Sequence, residues 1–369
     1  MAMVGGGPGS FIGPVHRMAA ELDARIELVA GAFSRDAGRS AAAAAAWGVR
    51  GYDDWREMLA AEGARPDGAE MVCVVTPNDL HLEVSAAALG AGFHVMSDKP
   101  ATRDLAEART LADAVARSGR LYGLTHTYTG YPMVREARDI VARGDLGAVR
   151  KVVVEYSQGW LSAPVDNKQA AWRGDPGRAG VGGCLGDIGT HAFNLAEFVS
   201  GRRVDRLCAD VATVVPGRAL DDDANVLLRF QGGARGVLIS SQISAGARNG
   251  LRISVYGERG GVSWSHERAA ELTLDWLDRP SQVLHAGSGY LGGAAQAAAR
   301  LPAGHPEGFI EAFANLYRDF AEAILAGRAD AAPTPGIEEG VRGMAFVETA
   351  VRASGAGWVE LSGDDACVR

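Results

Sequence analysis

The chain has 369 residues, 47% of them hydrophobic and 22% charged, which is enough apolar material for substantial cores and a length that favours two domains over an isolated binding module. Its 37 basic and 45 acidic residues leave a net charge of -8, which gives no broad attraction to nucleic acid or to an anionic membrane. No apolar run has bilayer-spanning length and no basic segment with a hydrophobic core opens the chain, so a cytoplasmic protein with no membrane partner is expected.

The first apolar stretch, Met1 to Val4, is short for a central strand; either the strand begins at the terminus or a few residues precede it in the natural protein. It runs into a glycine-rich turn holding Gly5, Gly7 and Gly13, followed by a helical candidate at Pro14 to Leu22. A dinucleotide site needs a tight turn, close backbone approach and free N–H groups at a helix start, all of which small residues permit. Ser10 stands where the third glycine is usual, so Pro8, Gly9, Ser10, Phe11 and Ile12 read as an insertion, and a purely structural turn is an equal alternative.

The next strand, Ile26 to Ala32, is followed by Phe33-Ser34-Arg35. Lacking a carboxylate for the ribose diol, Ser34 and Arg35 suit a 2′-phosphate, which puts NADP slightly ahead of NAD; Arg35 packing over adenine or in a surface pair is the competing reading. The Ala41 to Ala46 run beside Trp47 reads as an alanine-rich helix over a sheet, and helical patterns recur at Asp54 to Ala61, Leu80 to Leu89 and Asp104 to Arg117. Between them lie strands at Met71 to Val75, Phe93 to Met96 and Leu121 to Leu124. This alternation predicts a parallel sheet covered by helices on both faces. Thr76, Asn78 and His81 follow one strand end, where they can touch a dinucleotide; Asn78 serves equally well as a helix cap, and His81 carries the same reservation.

Asp98-Lys99-Pro100 follows the next strand end, where a lysine can polarise a carbonyl beside a nicotinamide. Farther on, Asp187 and His191 share a face if their segment is helical, His191 as a proton acceptor and Asp187 orienting it or a substrate hydroxyl, with a buried capping pair as the alternative. No third ligand at diagnostic spacing makes this a metal site. His126, Tyr128, Tyr131, Trp160, Lys168, Trp172 and Arg173 form a candidate substrate group: aromatic faces pack on sugar C–H groups and the cations donate to hydroxyls, with interdomain packing weighed equally. Segments Val149 to Tyr156, Val226 to Phe230, Val237 to Ser241 and Leu251 to Tyr256 are β-rich, and a helix at Phe309 to Leu325 ends near Gly327. Cys73, Cys184, Cys208 and Cys367 are scattered and are expected as reduced thiols.

Taken in order, the glycine loop ending Gly13-Pro14-Val15-His16, Thr76-Pro77-Asn78 with His81, Asp98-Lys99-Pro100, Trp172-Arg173 and the run Gly182 to His191 resemble the glucose-fructose oxidoreductase and inositol dehydrogenase family over nearly the full chain. The resemblance implies an α/β protein with an N-terminal Rossmann domain (1–126) and a C-terminal α/β domain (127–369) built on a large open mixed, mainly antiparallel sheet. That second domain would bind substrate and mediate assembly, and C-terminal residues can return to the first. The resemblance further implies that Lys99, Asp187 and His191 surround the hydride-transfer centre, that NAD or NADP is the cofactor, that the substrate is a small polyhydroxylated molecule and that the protein is a homodimer or homotetramer. Asp98 departs from the family's usual glutamate, and the glycine loop is lengthened. The function expected is reversible oxidation of a secondary hydroxyl on a sugar, sugar derivative or cyclitol; an NADP-dependent keto-sugar reductase and a catalytically silent dinucleotide-binding regulator are the alternatives.

Overall fold

The computed structural model describes residues 1–165, 172, 174–328 and 334–361. The chain forms two compact units, Met1–Thr125 with Phe313–Val341, and His126–Ala312 with the residues from Arg342 onward.

In the first unit six parallel strands, β1 (Ala2–Gly5), β2 (Ala30–Ala32), β3 (Arg50–Gly51), β4 (Met71–Val75), β5 (His94–Ser97) and β6 (Tyr122–Leu124), lie in the order β3-β2-β1-β4-β5-β6. That is the dinucleotide-binding order, with the crevice at the reversal beside β1. Every residue of β4 is buried, as a continuous apolar run flanked by strands on both sides requires. The helices are α1 (Ile12–Glu21), α2 (Ala37–Trp47), α3 (Trp55–Ala64), α4 (His81–Gly90) and α5 (Leu105–Ser118). Asp36, Asp54 and Asp104 each accept a backbone N–H at the starts of α2, α3 and α5, which satisfies donors that the first helical turn leaves open. The strand expected over Ile26 to Ala32 is confined to Ala30–Ala32, because β1 and β3 lie alongside only from Ala30 onward.

The second unit is organised on nine strands: β7 (Lys151–Ser157), β8 (Val204–Ala212), β9 (Asp223–Phe230), β10 (Arg235–Ser241), β11 (Gly250–Tyr256), β12 (Gly260–Ser265), β13 (Glu271–Trp276), β14 (Gln282–His285) and β15 (Val359–Glu360). Their order is β14-β13-β12-β11-β7-β10-β9-β8-β15. Only β7 and β10 pair in parallel; the other neighbours are antiparallel. Along β9, Ala224, Val226, Leu228 and Phe230 are buried while Asn225 and Leu227 are exposed, the alternation of a sheet packed on one face. The register aligns the strand ends of four neighbours. Ser157 pairs with both Gly250 and Ser241, and Ser241 pairs with Asp223, so the residues just beyond these strand ends, Asn249, Gln242 and Asp221, emerge at a common edge.

The longer helices described in this half of the chain are α6 (Pro132–Ala142), α7 (Thr190–Ser200), α8 (Gly293–Ala298), α9 (Phe309–Ala326) and α10 (Ile337–Arg352). All but one residue of α7 is buried, and its Glu197 takes two bonds from Arg342 of α10 at 2.8 and 2.6 Å. A buried carboxylate is tolerable only with such pairing. Gly327, at φ +69°, closes α9 as its sequence position predicts. No helix among the described residues is long and apolar enough to cross a membrane.

Candidate active site

At the end of β1, Gly5 and Gly6 have φ of +77° and +67°, a region costly for any residue with a Cβ. A Cβ on Gly13 would lie 1.6 Å from the Gly6 carbonyl oxygen, so the start of α1 packs directly on the loop. Gly6, which the motif spacing passed over, therefore works with Gly13, whereas a Cβ on Gly7 would only crowd Phe33 at 2.9 Å. The Ser10 hydroxyl accepts the Gly13 N–H at 3.1 Å and so caps α1. Phe11 is 71% exposed, and Ile12 opens the helix half-buried. The cradle fits a dinucleotide: it lets a pyrophosphate approach backbone closely at a helix start, and the Thr76 hydroxyl oxygen nearby is buried without a partner.

Ser34 accepts the Asp36 N–H at 3.1 Å, Asp36 accepts the Arg39 N–H at 2.8 Å, and Arg35 is exposed. Asn78 is buried and opens the short turn Asn78–Leu80 that leads into α4. His81 sits among backbone carbonyls. It is 1% exposed, with one ring nitrogen 2.7 Å from the Pro100 carbonyl oxygen and the other 2.9 Å from that of Thr76. Each ring nitrogen faces a carbonyl oxygen, and a neutral ring, with one N–H, donates to one of them; the ring lies between the turns that follow β4 and β5.

Beside it, one Asp98 carboxylate oxygen accepts the Lys99 N–H at 2.9 Å and the Thr125 hydroxyl at 3.1 Å, and lies 3.9 Å from His16 Nε2. Asp98 thus fixes the backbone of Lys99, a half-buried residue. Burial pushes the Asp98 carboxyl upward, but His16, then Lys99 and His81, outweigh it and hold the group well below the usual carboxylate range. For His16, burial is overcome by Cys73 and Asp98, which raise it to about 10. Its Nδ1 is 2.6 Å from the Tyr317 hydroxyl and 3.2 Å from Cys73 Sγ. Tyr317 and Cys73 were not legible as members of this cluster, being 244 residues apart.

In the second unit Asp187 lies in a π-helical turn, Leu185–Gly189, that leads into α7 and His191. Such widened turns recur at functional sites. Asp187 is not the cap. That role falls to Asp221, whose carboxylate accepts the N–H groups of Gly183 at 2.6 Å and Leu185 at 2.8 Å, while its carbonyl takes that of Cys184 at 2.8 Å. Burial raises the Asp221 carboxyl, with these amide bonds opposing. Asp187 is left half-buried and accepts Gln242 Nε2 at 2.8 Å.

Around His191 the rings of His126, Tyr128 and Tyr156 stand with centroids 5.3, 5.0 and 6.3 Å away. The Tyr156 hydroxyl donates to Asn249 Oδ1 at 2.6 Å, Asn249 Nδ2 donates to the Tyr128 hydroxyl at 3.1 Å, and the two tyrosine hydroxyls bond each other. Because the Tyr156 proton goes to Asn249, Tyr128 must donate to Tyr156. The cycle is closed, so the Tyr128 hydroxyl proton is committed to Tyr156. His266 extends the network, with Nε2 3.0 Å from the Tyr131 hydroxyl, and burial lowers its pKa. Trp160 joins it by donating to Gln158 Oε1 at 3.0 Å, and Gln158 Nε2 donates to Asn249 Oδ1 at 2.8 Å. Trp172 is half-buried; Lys168 and Arg173 fall outside the described residues. Tyr156, Asn249, Gln242, Asp221 and His266 escaped sequence reading. Among the described residues no three His, Cys, Asp or Glu side chains group as a metal ion would need.

The sequence pattern of the oxidoreductase family with an NAD-binding Rossmann fold matches residues 1–126, and that of the GFO/IDH/MocA C-terminal domain matches residues 134–263. The chain belongs to the GFO/IDH/MocA family of oxidoreductases. A relative in that family, the uncharacterized oxidoreductase YfiI of Bacillus subtilis, is 35% identical over 98% of this chain and 96% of its own. The inositol 2-dehydrogenase of Rhizobium meliloti is 26% identical over 93% of each chain. Among solved structures, an inositol dehydrogenase homolog from Azotobacter vinelandii, complexed with NADH and myo-inositol, shares 39% identity with a TM-score of 0.91, covering 97% of this chain and 96% of that one.

Proposed function

We propose that this GFO/IDH/MocA oxidoreductase is an NAD(P)-dependent dehydrogenase that reversibly interconverts a secondary hydroxyl and a ketone on a sugar, sugar derivative or cyclitol. The observation that carries the reading is the near full-length likeness to a homolog whose complex holds NADH and myo-inositol. The sequence retains Lys99, Asp187 and His191 beside it.

The residues that would hold the dinucleotide are Gly5, Gly6 and Gly13 with the start of α1, then Ser34 and Arg35 after β2, and Thr76 and Asn78 after β4. When bound, the nicotinamide supplies the hydride acceptor or donor. In oxidation His191 takes the hydroxyl proton, Lys99 stabilises charge growing on that oxygen, and Asp187, steadied by Gln242, orients the substrate or His191. The proton path reverses for reduction. Trp160 and the Tyr128 ring edge offer apolar surface for ring C–H groups.

Ser34-Arg35 supports acceptance of a 2′-phosphate, whereas the complexes of the neighbours with NAD+ and NADH support NAD. The same proposal takes the protein to be a cytoplasmic homodimer or homotetramer. The test is a panel of sugars and cyclitols assayed with NAD+ and NADP+ separately, and of keto-sugars with the reduced forms. Turnover that is lost on replacing Lys99 or His191 supports the proposal; saturable dinucleotide binding without any turnover favours a regulatory role, and no dinucleotide binding sinks the reading.

A further inference from the structure

We propose that Asp221 is a positioning residue: by holding three consecutive backbone N–H groups at the entrance to the π-helical turn, it fixes where that turn presents Asp187 and the helix start that carries His191. The inference rests on Asp187 and His191 serving the reaction proposed above. The Asp221 carboxylate accepts the Gly183 N–H on Oδ1 at 2.6 Å and the Leu185 N–H on Oδ2 at 2.8 Å, and its main-chain carbonyl accepts the Cys184 N–H at 2.8 Å. All three donors are backbone amides, so the direction of each bond is fixed by chemistry. A helix start leaves its first N–H groups open, and a side-chain cap from the adjoining residue ordinarily meets one of them. Here a residue 36 to 38 positions farther along the chain meets three.

The hold passes directly to the residues assigned the chemistry. The Gly183 carbonyl accepts the Asp187 N–H at 2.9 Å, so Asp187 stands one hydrogen bond away from the gripped segment. Leu185 opens the π-helical turn, and Leu185–Gly189 runs without a break into α7, whose second residue is His191. The approach is close enough to restrict the sequence: a Cβ on Gly183 would lie 2.3 Å from the Asp221 carbonyl oxygen, and one on Gly182 would lie 2.6 Å from Val347 Cγ1.

Cys184 Sγ also lies 3.0 Å from Ser240 Oγ of β10. That strand ends beside Gln242, the donor to Asp187 Oδ2 at 2.8 Å. The turn and Gln242 are thus registered against the same strand, and a shift of the turn moves Asp187 away from its donor. Asp222, next in the chain, is buried and serves another segment: its carboxylate accepts the N–H groups of Val214 at 2.7 Å and Val215 at 3.0 Å, and Arg218 at 2.9 Å.

The test compares Asp221→Asn with Asp222→Asn in the full-length protein. Asn at 221 keeps one acceptor oxygen and sets an NH2 group against the other backbone N–H, which loosens the turn with little change of side-chain size. Without substrate, the reporter is the side-chain amide of Gln242, observed by nitrogen-15 NMR of glutamine-labelled protein and assigned with Gln242→Leu. The expected result is a Gln242 amide signal that shifts and exchanges faster with solvent in Asp221→Asn and stays in place in Asp222→Asn. Gly183→Ala pushes the turn from the other side of the same contact; it repeats the Asp221→Asn pattern and carries the test if that variant does not fold. A Gln242 signal unmoved by these changes, or moved equally by Asp222→Asn, overturns the proposal. With a turned-over substrate, Asp221→Asn lowers kcat by roughly tenfold to a hundredfold with dinucleotide affinity held, whereas Asp222→Asn leaves kcat within about threefold; equal losses in the two variants also overturn it. Absence of turnover across the whole panel counts against the proposed function, whereas the Gln242 signal tests this inference alone.

Discussion

The glycine cradle after β1 and the aromatic, amide-linked cluster around His191 solve different problems. The first binds through backbone, and its requirements fall on neighbouring residues: Gly5 and Gly6 bend the chain, and Gly13 lets α1 approach within reach of the Gly6 carbonyl. The second is assembled from side chains at positions 126, 128, 156, 191, 249 and 266, which strand register brings together. A backbone site is fragile at single atoms. A side-chain network is fragile wherever a polar partner is removed and another is left buried.

The sharpest way to break the first region is Gly13→Val. With even a Cβ at 1.6 Å from backbone, dinucleotide affinity measured by calorimetry should fall on the order of a hundredfold or more, because the helix start must move away from the loop. Lys99→Met separates binding from chemistry: kcat should drop by about 10² to 10⁴ while dinucleotide affinity stays within about threefold. Equal losses in both would make Lys99 structural.

That contrast also explains what was legible. Strand and helix order in the first unit, the glycine turn and Asp98-Lys99-Pro100 lie within short windows, where local periodicity and turn chemistry are informative. Gly6 was missed because motif spacing singles out Gly7 instead. In the second unit β8 and β12 to β14 were not anticipated: β12 reads Gly-Gly-Val-Ser-Trp-Ser and β8 carries Asp205, Arg206 and Asp210 among its apolar residues. Asp221 and Asn249 look like ordinary loop residues until the β7–β10 and β7–β11 registers place them. That the His81 ring lies between the carbonyls of Thr76 and Pro100 is visible only in the fold.

Asn249→Leu probes the second region. It removes the acceptor of the Tyr156 hydroxyl and the donor to Tyr128, so unfolding stability by denaturant titration should fall by about 1–3 kcal/mol, with turnover reduced and dinucleotide binding preserved. A smaller and cofactor-specific effect is expected at the cradle's edge: Arg35→Ser should raise KM for NADP about tenfold and leave that for NAD nearly constant if the guanidinium meets a 2′-phosphate. Identical changes for both cofactors would remove that reading.

The mildest effect concerns the buried His16. Its folded pKa of about 10 lies above the ordinary histidine value of 6.5, so the stability it contributes is complete below about pH 6.5 and is lost as pH rises toward 10. Tm should therefore slope downward across that window, and His16→Asn should flatten the slope. Asp98 behaves oppositely, its contribution disappearing as pH falls below the carboxylate range.

The most direct test of the dehydrogenase reading is a single turnover with the best substrate of the panel carrying deuterium on its carbinol carbon. The deuterium should arrive at C4 of the nicotinamide in the parent protein, and transfer should collapse in Lys99→Met and His191→Gln. Reduced nicotinamide formed without deuterium, or transfer that proceeds undiminished in both variants, would contradict the dehydrogenase reading.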